Sequence, residues 1–169
     1  GSMGTDTVTY DSDYTTRDNG FDKTGYIFKG WNEKADGTGE DWTSKIGNPF
    51  KWNYAENITL YAQWEGMKAN ICYHSEDEKH NITKEYQVGA GQTFEPASDW
   101  WKQQRFTTAY DPGNCIWSGW TTKKGSTDDM YSENAAVPDE LIIDHADSTI
   151  DVYSIWDQPT ISISATGNN

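Results

Sequence analysis

The sequence predicts a mainly β protein of the α+β class, built as two small modules in tandem. Three observations carry that expectation: a strand motif that occurs twice, period-two alternation around it, and a scarcity of helical periodicity. Gly25-Tyr-Ile-Phe-Lys-Gly-Trp31 recurs as Asn114-Cys-Ile-Trp-Ser-Gly-Trp120. Each copy is followed by a polar, Gly-containing turn, at Asn32–Asp41 and at Thr121–Asp129. Each then closes on an alternating strand ending in Trp, Ile58-Thr-Leu-Tyr-Ala-Gln-Trp64 and Ile150-Asp-Val-Tyr-Ser-Ile-Trp156. The Gly-Trp landmarks lie 120 − 31 = 89 residues apart and the closing Trp residues 156 − 64 = 92. Two landmarks that keep nearly the same spacing outweigh either alone.

Strand alternation puts Ile58, Leu60, Ala62 and Trp64 on one face of the first closing strand. Gly30 and Gly119 sit inside strands, where glycine marks a bulge or a close backbone approach. The second module reads in full as Ala69–His74 strand, Ser75–Asn81 turn, Ile82–Val88 strand, a short helix, then strands Cys115–Thr121 and Ile150–Trp156. The helix falls at Ser98–Phe106, with Ser98 able to cap it, Asp99 favouring its dipole and Pro112 safely beyond. The order is β-β-α-β-β.

The second module spends about 45 residues (Ala69–Gly113) before its Gly-Trp strand, whereas the first has only Thr5–Thr24. Thr5–Tyr10 is therefore read as the second strand of its module, with the opening strand outside the chain. The alternative pairs Val8–Ser12 with Ile71–Ser75 and gives a naturally shortened module. The expected boundaries are a cloning remnant at 1–4, a first module at 5–64, a linker at 65–68 and a second, divergent module at 69–156. Residues 157–169 continue as a linker or the start of another domain, since Thr160-Ile-Ser-Ile-Ser alternates again.

Hydrophobic residues make up only 34% of the 169, but aromatics reach 14%, with nine Trp and ten Tyr. A disordered chain is poor in rings, so this one folds. Large rings suit small cores, each burying roughly 150–250 Å². Cores filled this way leave little room for a pocket of about 300 Å³ or more. The net charge is −14, which argues against nucleic acid and against an anionic membrane surface. No transmembrane run, signal peptide or anchor motif is present, as expected of an internal fragment of a secreted protein. Two Cys are too few for a disulfide framework, and none is expected between Cys72 and Cys115.

The first copy, Phe21-x-x-Thr-Gly-Tyr-x-Phe-x-Gly-Trp31 with Lys34-Ala-Asp-Gly-Thr-Gly39 and Ile58–Trp64, resembles the Listeria–Bacteroides repeat, also called the internalin B-repeat. The resemblance covers about 60 residues closely and about 85 more loosely. In the second copy Cys115 stands where Tyr26 does, Trp117 replaces Phe28, and the Ala-Asp-Gly-Thr-Gly loop is lost. The resemblance implies β-grasp-like modules strung on secreted or wall-attached bacterial surface proteins. It implies no catalytic residues. In a β-grasp sheet the closing strand lies between the first and third strands, which would hold Cys72 and Cys115 two strands apart.

The residues that carry chemistry are few. Cys72-x-His74 is too tight for the usual zinc spacing and lacks a matching second pair, so it reads as incidental strand residues. Cys115, His145 and His80 lie in no recognised catalytic signature. Asp36-Gly-Thr-Gly-Glu40-Asp41 offers oxygen atoms to calcium, yet fails the EF-hand spacing and reads as an ordinary turn. Phe28, Trp31, Trp64, Trp117, Trp120 and Trp156 recur and are expected in cores or at module joints. Trp42, Trp52, Trp100 and Trp101 have no counterparts, and exposed ones among them would suit protein or sugar contact. The expectation is a non-catalytic extracellular module with no cofactor or metal, serving as a stalk or spacer or in adhesion. A dedicated host protein- or glycan-binding domain is the alternative.

Overall fold

The structure, a computed structural model, describes residues 2–74, 81–95, 116–132, 134–157 and 163–164. The chain divides into two compact units, Gly1–Met67 and Lys68–Asn169. Strand outweighs helix, 38% against 7%, which makes the protein mainly β.

The first unit contains β1 (Asp13–Tyr14), β2 (Tyr26–Asn32), a 3-10 turn (Thr43–Lys45), β3 (Phe50–Lys51) and β4 (Tyr61–Gly66). They form two antiparallel pairs, β1 with β3 and β2 with β4. The β2–β4 ladder slips between Phe28 and Gly30, so the expected bulge is real. After it the alternation stops, and Gly30, Trp31 and Asn32 are all buried. The Trp31 indole N–H donates to the Arg17 carbonyl at 2.9 Å. Its ring meets Phe21 and Phe28 edge-on, and Phe28 meets Trp64 in the same way.

Three sequence expectations for this unit are corrected. Thr5–Tyr10 forms no strand, because a turn at Thr9–Ser12, with Asp11 at φ 64°, redirects the chain. Ser12 N–H and Oγ both donate to the Thr9 carbonyl, while Asp6 pairs with Arg17 and Tyr14. The closing strand starts at Tyr61 instead of Ile58. The expected linker is mostly strand: Glu65 pairs with Ile27, Gly66 with Tyr26 and Lys68 with Gln87, leaving Met67 between them. Backbone polar groups that find ladder partners do not stay in a linker.

The second unit contains β5 (Lys68–His74), β6 (Ile82–Gln87), β7 (Ile116–Thr121), β8 (Met130–Tyr131), α1 (Asp139–Asp144) and β9 (Thr149–Asp157). Its sheet has the order β6-β5-β9-β7-β8, with β5 and β9 parallel and the other pairs antiparallel. The closing strand thus lies between the first and third, and β5 and β7 are two places apart. Cys72 is a free thiol; Cys115 lies outside the described residues, as do Ser75–His80 of the expected turn and the whole expected helix, Ser98–Phe106. The β8 strand and α1 were not expected. Pro138 before Asp139 and Glu140 places two acids in the first turn of α1, where the helix dipole favours them.

One face of this sheet is core: Ala69, Ile71, Tyr73, Tyr86, Trp120, Ile150 and Val152 are buried, together with Phe94 and Ile142. The slip at Trp117/Gly119 repeats the first unit's bulge. The Trp120 indole donates to the Glu95 carbonyl at 2.7 Å. The Tyr73 and Tyr86 hydroxyls lie 2.6 Å apart. Tyr73 accepts from Glu95 N–H and Tyr86 donates to the Thr93 carbonyl.

Both bulge glycines have positive φ, +146° at Gly30 and +155° at Gly119. A Cβ at Gly30 would lie 1.7 Å from Thr43 Oγ1, and one at Gly119 would lie 2.5 Å from the Tyr131 carbonyl oxygen. Gly30→Ala and Gly119→Ala should each cost about 2–4 kcal/mol in denaturant unfolding. Gly47→Ala, at φ +69° with nothing within 4 Å, should cost only about 1 kcal/mol.

Burial first, then the hydrogen bond to Tyr86, pushes the Tyr73 hydroxyl above its ordinary 10.0. The neutral form is therefore favoured in the folded state, and the unfolded chain loses the proton first as pH rises. This stability is fully present below pH 10 and declines above it. The unfolding free energy of the second unit should fall as pH rises past about 10, and Tyr73→Phe should flatten that slope while costing about 1–2 kcal/mol at neutral pH.

Candidate functional site

Only Trp31 and Trp42 are buried hydrophobic residues in the first unit, among those described. Trp42 lies in a loop, as expected, but at 1% exposure it is part of the core. Its ring meets Phe50, Trp52 and Tyr54 at centroid distances of 5.8, 6.0 and 5.1 Å. Tyr14 sits edge-on to Phe50 and Trp52. The Lys45 ammonium lies 3.8 Å from the Trp42 ring centre and donates to Glu40 and to the Tyr54 hydroxyl. Burial alone would lower the Lys45 pKa, but the bonds to Glu40 and Tyr54 outweigh it and hold the ammonium charged. Hydrogen bonding from Lys45 lowers the Glu40 carboxyl in turn.

Trp31, Trp42, Trp52, Tyr54, Tyr61 and Trp64 border an open cleft of about 1030 Å³, which the mostly polar segment 2–8 also lines. The expectation of little room for a pocket is corrected. The two short ladders never merge into one sheet, and Trp52–Leu60 carries no strand to close the gap. Thr16, 3% exposed, borders the same cleft, and its Oγ1 has no hydrogen-bond partner.

The acidic glycine loop is organised by Asn32. Buried at 5% exposure, its Nδ2 donates to the Gly37 and Gly39 carbonyls. Its Oδ1 accepts from Lys34 and Gly39 N–H. Asp36 accepts from Thr38 N–H and hydroxyl, and Asp41 likewise from Thr43. Those bonds lower both carboxyls. The loop's carboxylates face donors of their own chain, as an ordinary turn requires. Thr121, 89 residues after Asn32, holds the corresponding place in the second unit: it is 1% exposed, donates to the Asp128 carbonyl and accepts from Lys123 N–H.

On the face of the second unit's sheet opposite its core, Cys72 and His74 alternate outward from β5. The parallel register sets Asp151 of β9 beside Cys72 and Tyr153 beside His74. His74 Nε2 and Asp151 Oδ1 are 2.8 Å apart, and the imidazole stacks on Tyr153 at 4.7 Å and 13°. The Cys72 sulfur, a His74 nitrogen and an Asp151 oxygen all lie within 4.8 Å of one another. His145 is elsewhere, its Nδ1 2.9 Å from the Leu141 carbonyl at the end of α1. Cys115, His80, Trp100 and Trp101 lie outside the described residues.

Residues 1–63 match the Listeria–Bacteroides repeat domain family. Over those residues the chain is similar to the Listeria–Bacteroides repeat, and the match spans the Asn32 loop and the Gly30 bulge and ends within β4. A protein named as a Gly-rich membrane protein in Evansella cellulosilytica is 28% identical over 116 residues, covering 63% of this chain and 13% of its own length. The likeness is longer than either unit, so it continues beyond the repeat. No solved structure matches the chain. Among the described residues, no helix is long and apolar enough to cross a membrane.

Asn32→Ala removes four hydrogen bonds from a buried site and should destabilise the repeat by about 2–4 kcal/mol. Calcium should not restore the loss, and the unfolding of the second unit should stay unchanged. Paired calorimetric scans with and without calcium check both.

Proposed function

We propose that this chain is a non-catalytic stalk segment of a bacterial surface protein, with the second unit a divergent copy of the repeat. The observation that carries the reading is the recurrence of one frame in both units. A positive-φ glycine bulge, a Trp whose indole donates to an upstream carbonyl, and a buried polar residue that ties the following loop occur in the same order. Every recurring position is architectural, as repetition for reach requires. The parallel first and closing strands, with the closing strand central, support a β-grasp-like assignment for the second unit. The name of the Evansella relative supports a cell-surface location.

A second reading, adhesion to a host protein or glycan, is favoured by the ring-walled cleft of the first unit and the unpartnered Thr16 hydroxyl. Aromatic surfaces suit sugar and protein contact alike.

Replacing the segment in its parent surface protein with an unrelated β module of equal length separates the readings. A stalk role leaves the display and reach of the distal part intact. An adhesive role loses cell attachment, and Trp52→Ala with Tyr54→Ala should then reproduce that loss in the purified segment on glycan and matrix-protein panels. Hydrolysis of any substrate by the segment would overturn the non-catalytic reading.

A further inference from the structure

We propose that Cys72, His74 and Asp151 form a three-ligand site for a divalent transition-metal ion of borderline softness, Zn²⁺ foremost. Cys-x-His alone is too tight a spacing and too few ligands, but the fold supplies what the local sequence lacks. Asp151 arrives from a neighbouring strand, 77 residues after His74, and the donor atoms of all three gather within 4.8 Å of one another.

The donor set selects the ion. A sulfur and an imidazole nitrogen disfavour Ca²⁺ and Mg²⁺, which take oxygen, while Cys, His and Asp are the three side chains zinc uses. Charge also balances, because a thiolate and a carboxylate together offset the ion's two positive charges around a neutral imidazole. The backbone beneath is fixed: Ile71, Tyr73, Ile150 and Val152, which alternate with the three ligands, are buried on the opposite face. Tyr153 stacks on the imidazole and sets its plane, so it acts as a positioning residue.

The imidazole and carboxylate need little movement, and the sulfur, within 4.8 Å of both, has to approach to about 3.6 Å. Bonds of about 2.0–2.1 Å at a tetrahedral angle put nitrogen and oxygen ligands about 3.3 Å apart. His74 Nε2 and Asp151 Oδ1 are now 2.8 Å apart, so the ion takes the proton's place between them as the pair opens by about half an ångström. The Asp151 side chain, 54% exposed, is free to make that shift. Three protein ligands leave a fourth position for water or for a donor from a bound partner. An ordinary surface ion pair explains His74 and Asp151 but gives the sulfur beside them no part.

The test is titration of the reduced, chelator-stripped chain with Co²⁺ and then Zn²⁺. One equivalent of Co²⁺ should bind with a thiolate-to-cobalt charge-transfer absorption, which Zn²⁺ abolishes, and Zn²⁺ should raise the thermal midpoint of the second unit. Cys72→Ser should remove the band and weaken Zn²⁺ binding more than about 100-fold, beyond the range seen for outer-shell partners. His74→Gln should do the same, and Asp151→Asn should weaken binding by about 10-fold or more. Cys115→Ser should leave the band in place, and circular dichroism of each variant checks that it folds. The proposal is overturned by no band in the unmutated chain, by a band that survives Cys72→Ser or vanishes with Cys115→Ser, or by Zn²⁺ affinity that His74→Gln leaves unchanged.

Discussion

Both units depend on one backbone device, a glycine at positive φ that breaks the strand's alternation just before a tryptophan. A regular strand shows successive residues to opposite faces. The bulge adds a residue on β2 and on β7, and the buried positions become consecutive: Trp31 and Asn32 in one unit, Trp120 and Thr121 in the other. The ring enters the core, and its neighbour turns toward the loop that follows. An indole taken from water keeps a donor that must be paired. In each unit it reaches a carbonyl upstream, Arg17 or Glu95, which ties the entering chain to the strand. Bulge, ring and loop anchor act together, and in the first unit Phe21 and Phe28 pack on the Trp31 ring with Trp64 behind Phe28.

The bulge and its tryptophan were legible in the sequence because they are local. Gly-Trp is followed directly by a polar turn, and its repetition after 89 residues points to two copies. In the second unit the place of the closing strand between the first and third was also expected, while the edge strand β8 was not. What escaped was set by partners distant in sequence. Strands of two residues, such as Asp13–Tyr14 and Met130–Tyr131, carry no periodicity and exist only because a neighbour offers a ladder. The burial of Trp42 escaped because nothing nearby reveals that Phe50, Trp52 and Tyr54 fold back over it. The first turn of α1 did carry a signal, Pro138-Asp-Glu, in a stretch too short for its period to stand out.

The Cys72, His74 and Asp151 cluster shows the same division. Alternation in β5 already put Cys72 and His74 on one face, and alternation in the closing strand put Asp151 opposite Ile150 and Val152. A parallel register was needed to bring the two faces together, and register is not written in either strand alone. Judged by spacing along the chain, the pair was rightly unimpressive. Neighbourhood across the sheet makes it a cluster. Asn32 is a simpler omission: an asparagine directly after Gly-Trp and before a glycine-rich loop is well suited to hold that loop's carbonyls and amides.

The two units solve the same shortage of aliphatic residues in opposite ways. The second gathers most of its buried rings and aliphatic side chains on one face of a five-stranded sheet, and the other face carries Cys72, His74 and Asp151 beside Tyr153. The first unit has two separate ladders and brings only Trp31 and Trp42 to full burial among its described hydrophobic residues, so rings such as Trp52, Tyr54 and Tyr61 remain partly in water. Those rings are stiff and need give up little side-chain entropy on contact, while their apolar area is still available to be covered. The first unit thus leaves ring area partly in water, while the outer face of the second sets a sulfur, an imidazole and a carboxylate side by side.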